Sequence, residues 1–109
     1  MRGRFPHWLL IAAITTAPVA AQDRNAPAQR GEILLSTNCA RCHAIGTTGL
    51  SPHSAAPPFR TLSRKYPIEG LEEALAEGLS VGHPDMPEFA FEPEDVGAIV
   101  AYLKSIQER

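Results

Sequence analysis

The sequence predicts a small all-α domain, with three main helices joined by two irregular loops. Three observations carry that expectation. Apolar residues recur three and four apart in two stretches, Ile68-Leu71-Leu75-Leu79 and Val96-Ile99-Val100-Leu103-Ile106. A proline heads each of them, Pro67 and Pro93, at the first helical position, where a missing N–H costs nothing. No segment alternates apolar and polar residues over the length of a strand.

The chain has 109 residues, room for one domain. Its first part reads as an export signal. Arg2 and Arg4 precede a largely apolar stretch from Trp8 to Ala17, and the small residues Val19, Ala20 and Ala21 follow. Cleavage is expected after Ala21, so residues 1–21 are assigned as a cleaved secretory signal. The apolar run ends at Pro18, short of the ~20 residues that a bilayer span needs, which argues against a stable membrane anchor. Cleavage removes two of the ten basic residues and none of the twelve acidic ones, so the net charge moves from −2 to −4. Nucleic acid is therefore not an expected partner, since phosphate binding calls for an excess of Lys and Arg.

Residues 22–27 are polar and are expected to form a flexible N-terminal segment, with the folded domain over 28–109. Ile33, Leu34 and Leu35, shortly after Gly31, suggest a first helix running from Ala28 up to a pair of cysteines. Gly46, Gly49, Pro52, Pro57 and Pro58 make 44–58 a loop long enough that it should wrap something. Thr61–Tyr66 reads as a turn of helix. The second helix should begin at Pro67 and end between Gly78 and Gly82, with Glu69, Glu72, Glu73 and Glu77 on its polar side. The next irregular stretch, Gly82 to Glu92, carries Pro84, Met86 and Pro87. Glu94 and Asp95 then sit at the positive end of the last helix.

Chemistry enters with Cys39-Ala40-Arg41-Cys42-His43. This is C-x-x-C-H, the haem attachment pattern. Cysteines three apart on a helical turn share a face, so both sulfurs can reach the two vinyl groups on one haem edge. His43 can then turn its imidazole to the iron. A domain this small has a thin core, and a covalent cofactor would supplement it. Three alternatives compete. A thioredoxin-like dithiol needs a βαβ setting. A zinc site would need His53 or His83 to join Cys39, Cys42 and His43 in a tetrahedron. A structural disulfide over so short a loop would stabilise little. For the sixth iron ligand the candidates are His53, His83 and Met86. Met86 is expected, because it lies in a proline-bracketed loop with no helical periodicity, where a core-filling role is weak. His83 is the rival, an open or water-ligated site the third possibility, and His53 reads as a solvated residue.

These residues resemble the class I c-type cytochromes, over about residues 28–107. Gly31 and Leu35, eight and four residues before Cys39, match positions that in that family pack on an aromatic of the last helix. Ile99, Tyr102 and Leu103 resemble the partner segment, and Met86-Pro87 resembles the distal-ligand signature. Ala56-Pro57-Pro58-Phe59 is similar to the family segment in which a proline carbonyl accepts a hydrogen bond from the iron-ligating histidine. Pro57 is the expected acceptor and Pro58 the second choice. Arg60 and Tyr66 are candidates for bonding the haem propionates. The chain departs from the family in two ways. Its single tryptophan is Trp8, in the signal, and it has no ring of lysines for docking.

The resemblance implies the class I cytochrome c fold around one haem c, attached by thioethers to Cys39 and Cys42 and ligated by His43 and Met86. It implies a one-electron carrier cycling Fe(II) and Fe(III), not an enzyme. The chain should be exported to the periplasm and meet redox protein partners as a monomer. The alternative is a haem-bearing relay subunit of a larger periplasmic oxidoreductase.

Overall fold

Two helices cross at a glycine, and that crossing organises the rest of the chain. The computed structural model describes residues 2–4, 11–20, 25–80 and 82–109. Trp8 and the expected cleavage point after Ala21 lie outside them. Residues 11–20 have no regular secondary structure and are exposed. No helix among the described residues is long and apolar enough to cross a membrane.

Helix α1 spans Ala26–Asn38 and starts with a proline in its first two positions. It therefore begins two residues before the expected boundary and takes in part of the segment expected to be flexible. Helix α3 spans Pro93–Ile106, with Pro93 at its head, Glu94 and Asp95 in its first turn and Lys104 in its last. Each charge opposes the partial charge of the nearby helix end. All five apolar residues of its expected stripe are buried, and Ala98 and Tyr102 are buried with them.

Gly31 permits the crossing. A Cβ built on it would lie 2.1 Å from the carbonyl oxygen of Ala98 and 2.8 Å from the Cβ of Tyr102. No residue with a side chain can pack there without driving α1 off α3. The Arg30–Asp95 ion pair bridges the same two helices at the surface. The core gathers around the crossing, from Leu35 on α1 to Val96, Ile99, Val100, Leu103 and Ile106 on α3, with Phe59, Leu62, Ile68 and Leu75 from the middle of the chain.

The middle of the chain is less helical than its periodicity suggests. Phe59–Arg64 forms a 3-10 helix, as does Ile68–Gly70. Helix α2 is only Leu71–Glu77. It stops at Gly78, whose φ of +131° lies in the left-handed region that glycine adopts freely. Leu79, expected on this helix, lies beyond it and pairs with Phe89 in an isolated antiparallel bridge. The expectation of a single helix from Pro67 to about Leu79 is corrected on both counts: Leu79 keeps the helical spacing by coincidence, pairs in a bridge instead and is only partly buried.

The C-terminus closes the fold over the first 3-10 helix. Gln107 Nε2 donates to the Phe59 carbonyl at 2.8 Å, and the Ser63 N–H donates to Gln107 Oε1 at 2.9 Å. Glu108 takes Arg60 and Arg64 as ion-pair partners.

Candidate functional site

The turn that follows α1 carries the chemistry. The Cys39 N–H donates to the Leu35 carbonyl at 2.8 Å, and the His43 N–H donates to the Cys39 carbonyl at 2.9 Å. Helical spacing thus continues past Asn38, and the two cysteines and His43 share one turn. The two cysteines are not joined in a disulfide. Burial, with a lesser contribution from Cys42, pushes the Cys39 thiol up to about 11, so it is protonated at neutral pH.

The long loop after His43 folds back over this turn. The His53 N–H donates to the Cys42 carbonyl at 3.1 Å, and the Phe59 N–H donates to the Ala44 carbonyl at 3.0 Å. Tyr102 on α3 anchors the loop by donating its hydroxyl to the Ile45 carbonyl at 2.8 Å. The fold-back brings the Pro57 carbonyl to 2.8 Å from His43 Nδ1. A carbonyl can only accept, so Nδ1 carries the hydrogen and Nε2 keeps its lone pair for a metal. Pro57, rather than Pro58, is the residue bonded to His43. The Phe59 ring stacks on the imidazole with centroids 4.5 Å apart, and nothing in the periodicity of the sequence pointed to that contact. Its signal was its place immediately after the two prolines.

The opposite wall comes from the loop after α2. Its base is stitched down by two backbone bonds of 2.8 Å, Leu79 N–H to Phe89 carbonyl and Phe91 N–H to Leu75 carbonyl. Met86 sits at its tip, where its N–H donates to the His83 carbonyl at 3.1 Å.

Between the walls lie two neighbouring cavities of about 490 and 310 Å³, within the range of sites that hold cofactors. Cys39, His43, Pro57, Met86 and Phe89 line both. Cys42, His53, His83 and Asp85 line only the outer one. The inner one is walled by leucines of α2 and its surroundings, with Phe91, Ile99 and Leu103. Of the two expected propionate partners, Tyr66 lines the inner cavity and Arg60 borders neither. Arg60 instead donates to the Gly49 carbonyl at 2.8 Å and pairs with Glu108. Lys65, which the sequence did not single out, stands beside Tyr66 on the inner cavity.

The donor set fits a haem. Two thiols share one helical turn, an imidazole nitrogen is left free by a hydrogen bond on its other side, and a thioether and apolar walls stand across from it. The sequence model described as Cytochrome c matches residues 28–107. The chain belongs to the cytochrome c family. It is accordingly a haem-based electron carrier with covalently bound haem c, working with redox protein partners. Cytochrome c-552 of Bradyrhizobium diazoefficiens is 28% identical over 99 residues, covering 91% of this chain and 88% of that protein. No solved structure matches.

Proposed function

We propose that Cys39 and Cys42 would hold the haem through thioethers and that His43 and Met86 would ligate its iron. The chain is exported by residues 1–21 and acts in the periplasm as a free one-electron carrier that converts no substrate. The observation that carries this reading is the shared lining of the two cavities: His43 and Met86 both border each of them. His83, the rival ligand, borders only the outer one, and its Nδ1 is engaged by the Asp85 N–H at 3.2 Å.

The bound haem supplies a one-electron Fe(II)/Fe(III) couple. The protein's side chains do the rest. The Pro57 carbonyl fixes the plane of the His43 ring and raises its basicity toward a metal. Phe59 packs against the ring and keeps water from that side. Met86 offers a soft sulfur, which favours the reduced state and raises the potential above that of a bis-histidine site. With two side chains committed as ligands, no position is left for oxygen or peroxide, which favours carrier over enzyme. The relay-subunit alternative would require a stable complex.

Visible spectra with and without reductant, together with the intact mass of the native protein, test this reading. The ferric form should show the weak band near the red end that a methionine–iron bond produces, and the band should vanish on reduction. The mass should lack residues 1–21 and include one haem. A ferric spectrum without that band overturns Met86 as ligand, and a mass that still contains Trp8 overturns the processed, exported form.

A further inference from the structure

The two irregular loops meet on the rim of the outer cavity, where His53 faces Asp85 and His83. His53 Nε2 lies 3.1 Å from Asp85 Oδ2. The other ring nitrogen, Nδ1, accepts the Ala55 N–H at 3.1 Å. A nitrogen that accepts carries no hydrogen, so the hydrogen is on Nε2 and is donated to the carboxylate. Each end of this bond is tied to a haem-binding residue. The His53 N–H is held by the carbonyl of Cys42, and Asp85 directly precedes Met86. His83 completes the turn, accepting the Asp85 N–H and meeting the His53 ring edge-on with centroids 5.6 Å apart.

We infer that His53 and Asp85 are positioning residues for Met86, forming a clasp from the loop after the C-x-x-C-H turn to the loop that carries the sixth ligand. The inference rests on the reading of Met86 as that ligand. The backbone bonds Leu79–Phe89 and Phe91–Leu75 hold the base of the loop, and among the described residues its tip is secured by its own turn and by His53. Met86 is a flexible side chain, so its sulfur stays on iron only as well as this tip stays down. A movement that carries the tip away from the cavity has to break the His53–Asp85 bond. The side chains are 31% and 65% exposed, and a contact so wetted contributes little. The clasp therefore tunes how often the loop opens and does not decide whether Met86 ligates.

Cyanide reaches ferric iron only when the Met86 sulfur has left it, so the rate of cyanide binding to the ferric holoprotein reads loop opening. Asp85→Ala and His53→Phe should each accelerate it by about two- to fivefold, the range expected for one partly exposed charged contact. The double variant should be no faster than the faster single one, because both remove the same bond. His53→Gln should restore the parental rate, since its amide can donate to Asp85 and accept from Ala55. Met86→Ala serves as the reference for a permanently open site. Parental rates in both single variants, or multiplied rates in the double variant, overturn the clasp while fast binding in Met86→Ala leaves the ligand reading standing. If Met86→Ala binds no faster than the parent, Met86 is not the ligand and the clasp falls with it.

Discussion

His43 is held from two sides by groups that have almost no freedom of their own. Pro57 has a fixed φ and, because Pro58 follows it, a restricted ψ, so its carbonyl presents one direction to Nδ1, and Phe59 two residues later presents a ring face. Met86 is confined instead through the backbone, with Pro84 and Pro87 on either side. This asymmetry makes the Met86 side the one to perturb. Met86→Ala should admit water, cyanide and carbon monoxide to the iron. Met86→His should keep a low-spin haem at a lower potential, since imidazole favours Fe(III) more than a thioether does. His83→Ala should leave the ferric spectrum nearly unaltered, because His83 stands outside the inner cavity and is engaged within its own turn. Ferric absorption and potentiometry of the three variants check this, and a spectrum that responds to His83→Ala but not to Met86→Ala would make the site bis-histidine. The stretch Cys39–His43 was legible as a candidate haem site because covalent attachment imposes a fixed local spacing. The partners of Arg60 were not legible, since Gly49 and Glu108 lie eleven and forty-eight residues away and no periodicity links them to it.

Helix α3 was legible from its apolar period and its proline start, and α1 from Ile33-Leu34-Leu35 after Gly31, whose crossing with α3 demands a glycine; the start of α1 at Ala26 was missed. The middle of the chain misled because spacings of three and four persist from Ile68 to Leu79 although the helix ends at Glu77. Gly78 cuts the helix, and Leu79 then pairs with Phe89 in a bridge, an outcome set by a residue ten positions away. The glycine at the crossing gives a clean test. Gly31→Ala gains about 1 kcal/mol of helix propensity but forces a methyl onto the Ala98 carbonyl. Backbone cannot move aside as a flexible side chain can, so overpacking should win. The net loss should be about 1–3 kcal/mol, a fall in melting temperature on the order of 10 °C for a domain of this size. Gly97→Ala on α3 is the control. Nothing lies within 4 Å of its added Cβ, so it should melt at or above the parent. Thermal melts of the ferric holoproteins compare the two, and a Gly31→Ala protein as stable as the parent would refute the close approach.

For the whole molecule, the question is whether the polypeptide has a core without its cofactor. The buried cluster follows the α1–α3 crossing, while Leu71, Leu79 and Phe91 are only partly buried and turn toward the inner cavity. Their apolar surface needs an occupant, because leaving it in water forfeits roughly 25 cal/mol for each Å² that the cofactor would cover. Domains of this length have little stability to spare, so losing the largest single contributor to the interior should be decisive. The covalent links matter here beyond holding the haem in place: they keep it on the unfolded chain as well, so the fold always has its cofactor at a high effective concentration. Cys39→Ala and Cys42→Ala singly leave one thioether each, and those variants should fold with reduced stability. The double variant can keep haem only through His43 and Met86 and should lose most of it on dilution. That haem-free chain should be largely unfolded, with weak helical circular dichroism and no cooperative melt. A helical, cooperatively melting double variant without haem would falsify this account, and it would show that the helix crossing at Gly31 suffices to fold the chain.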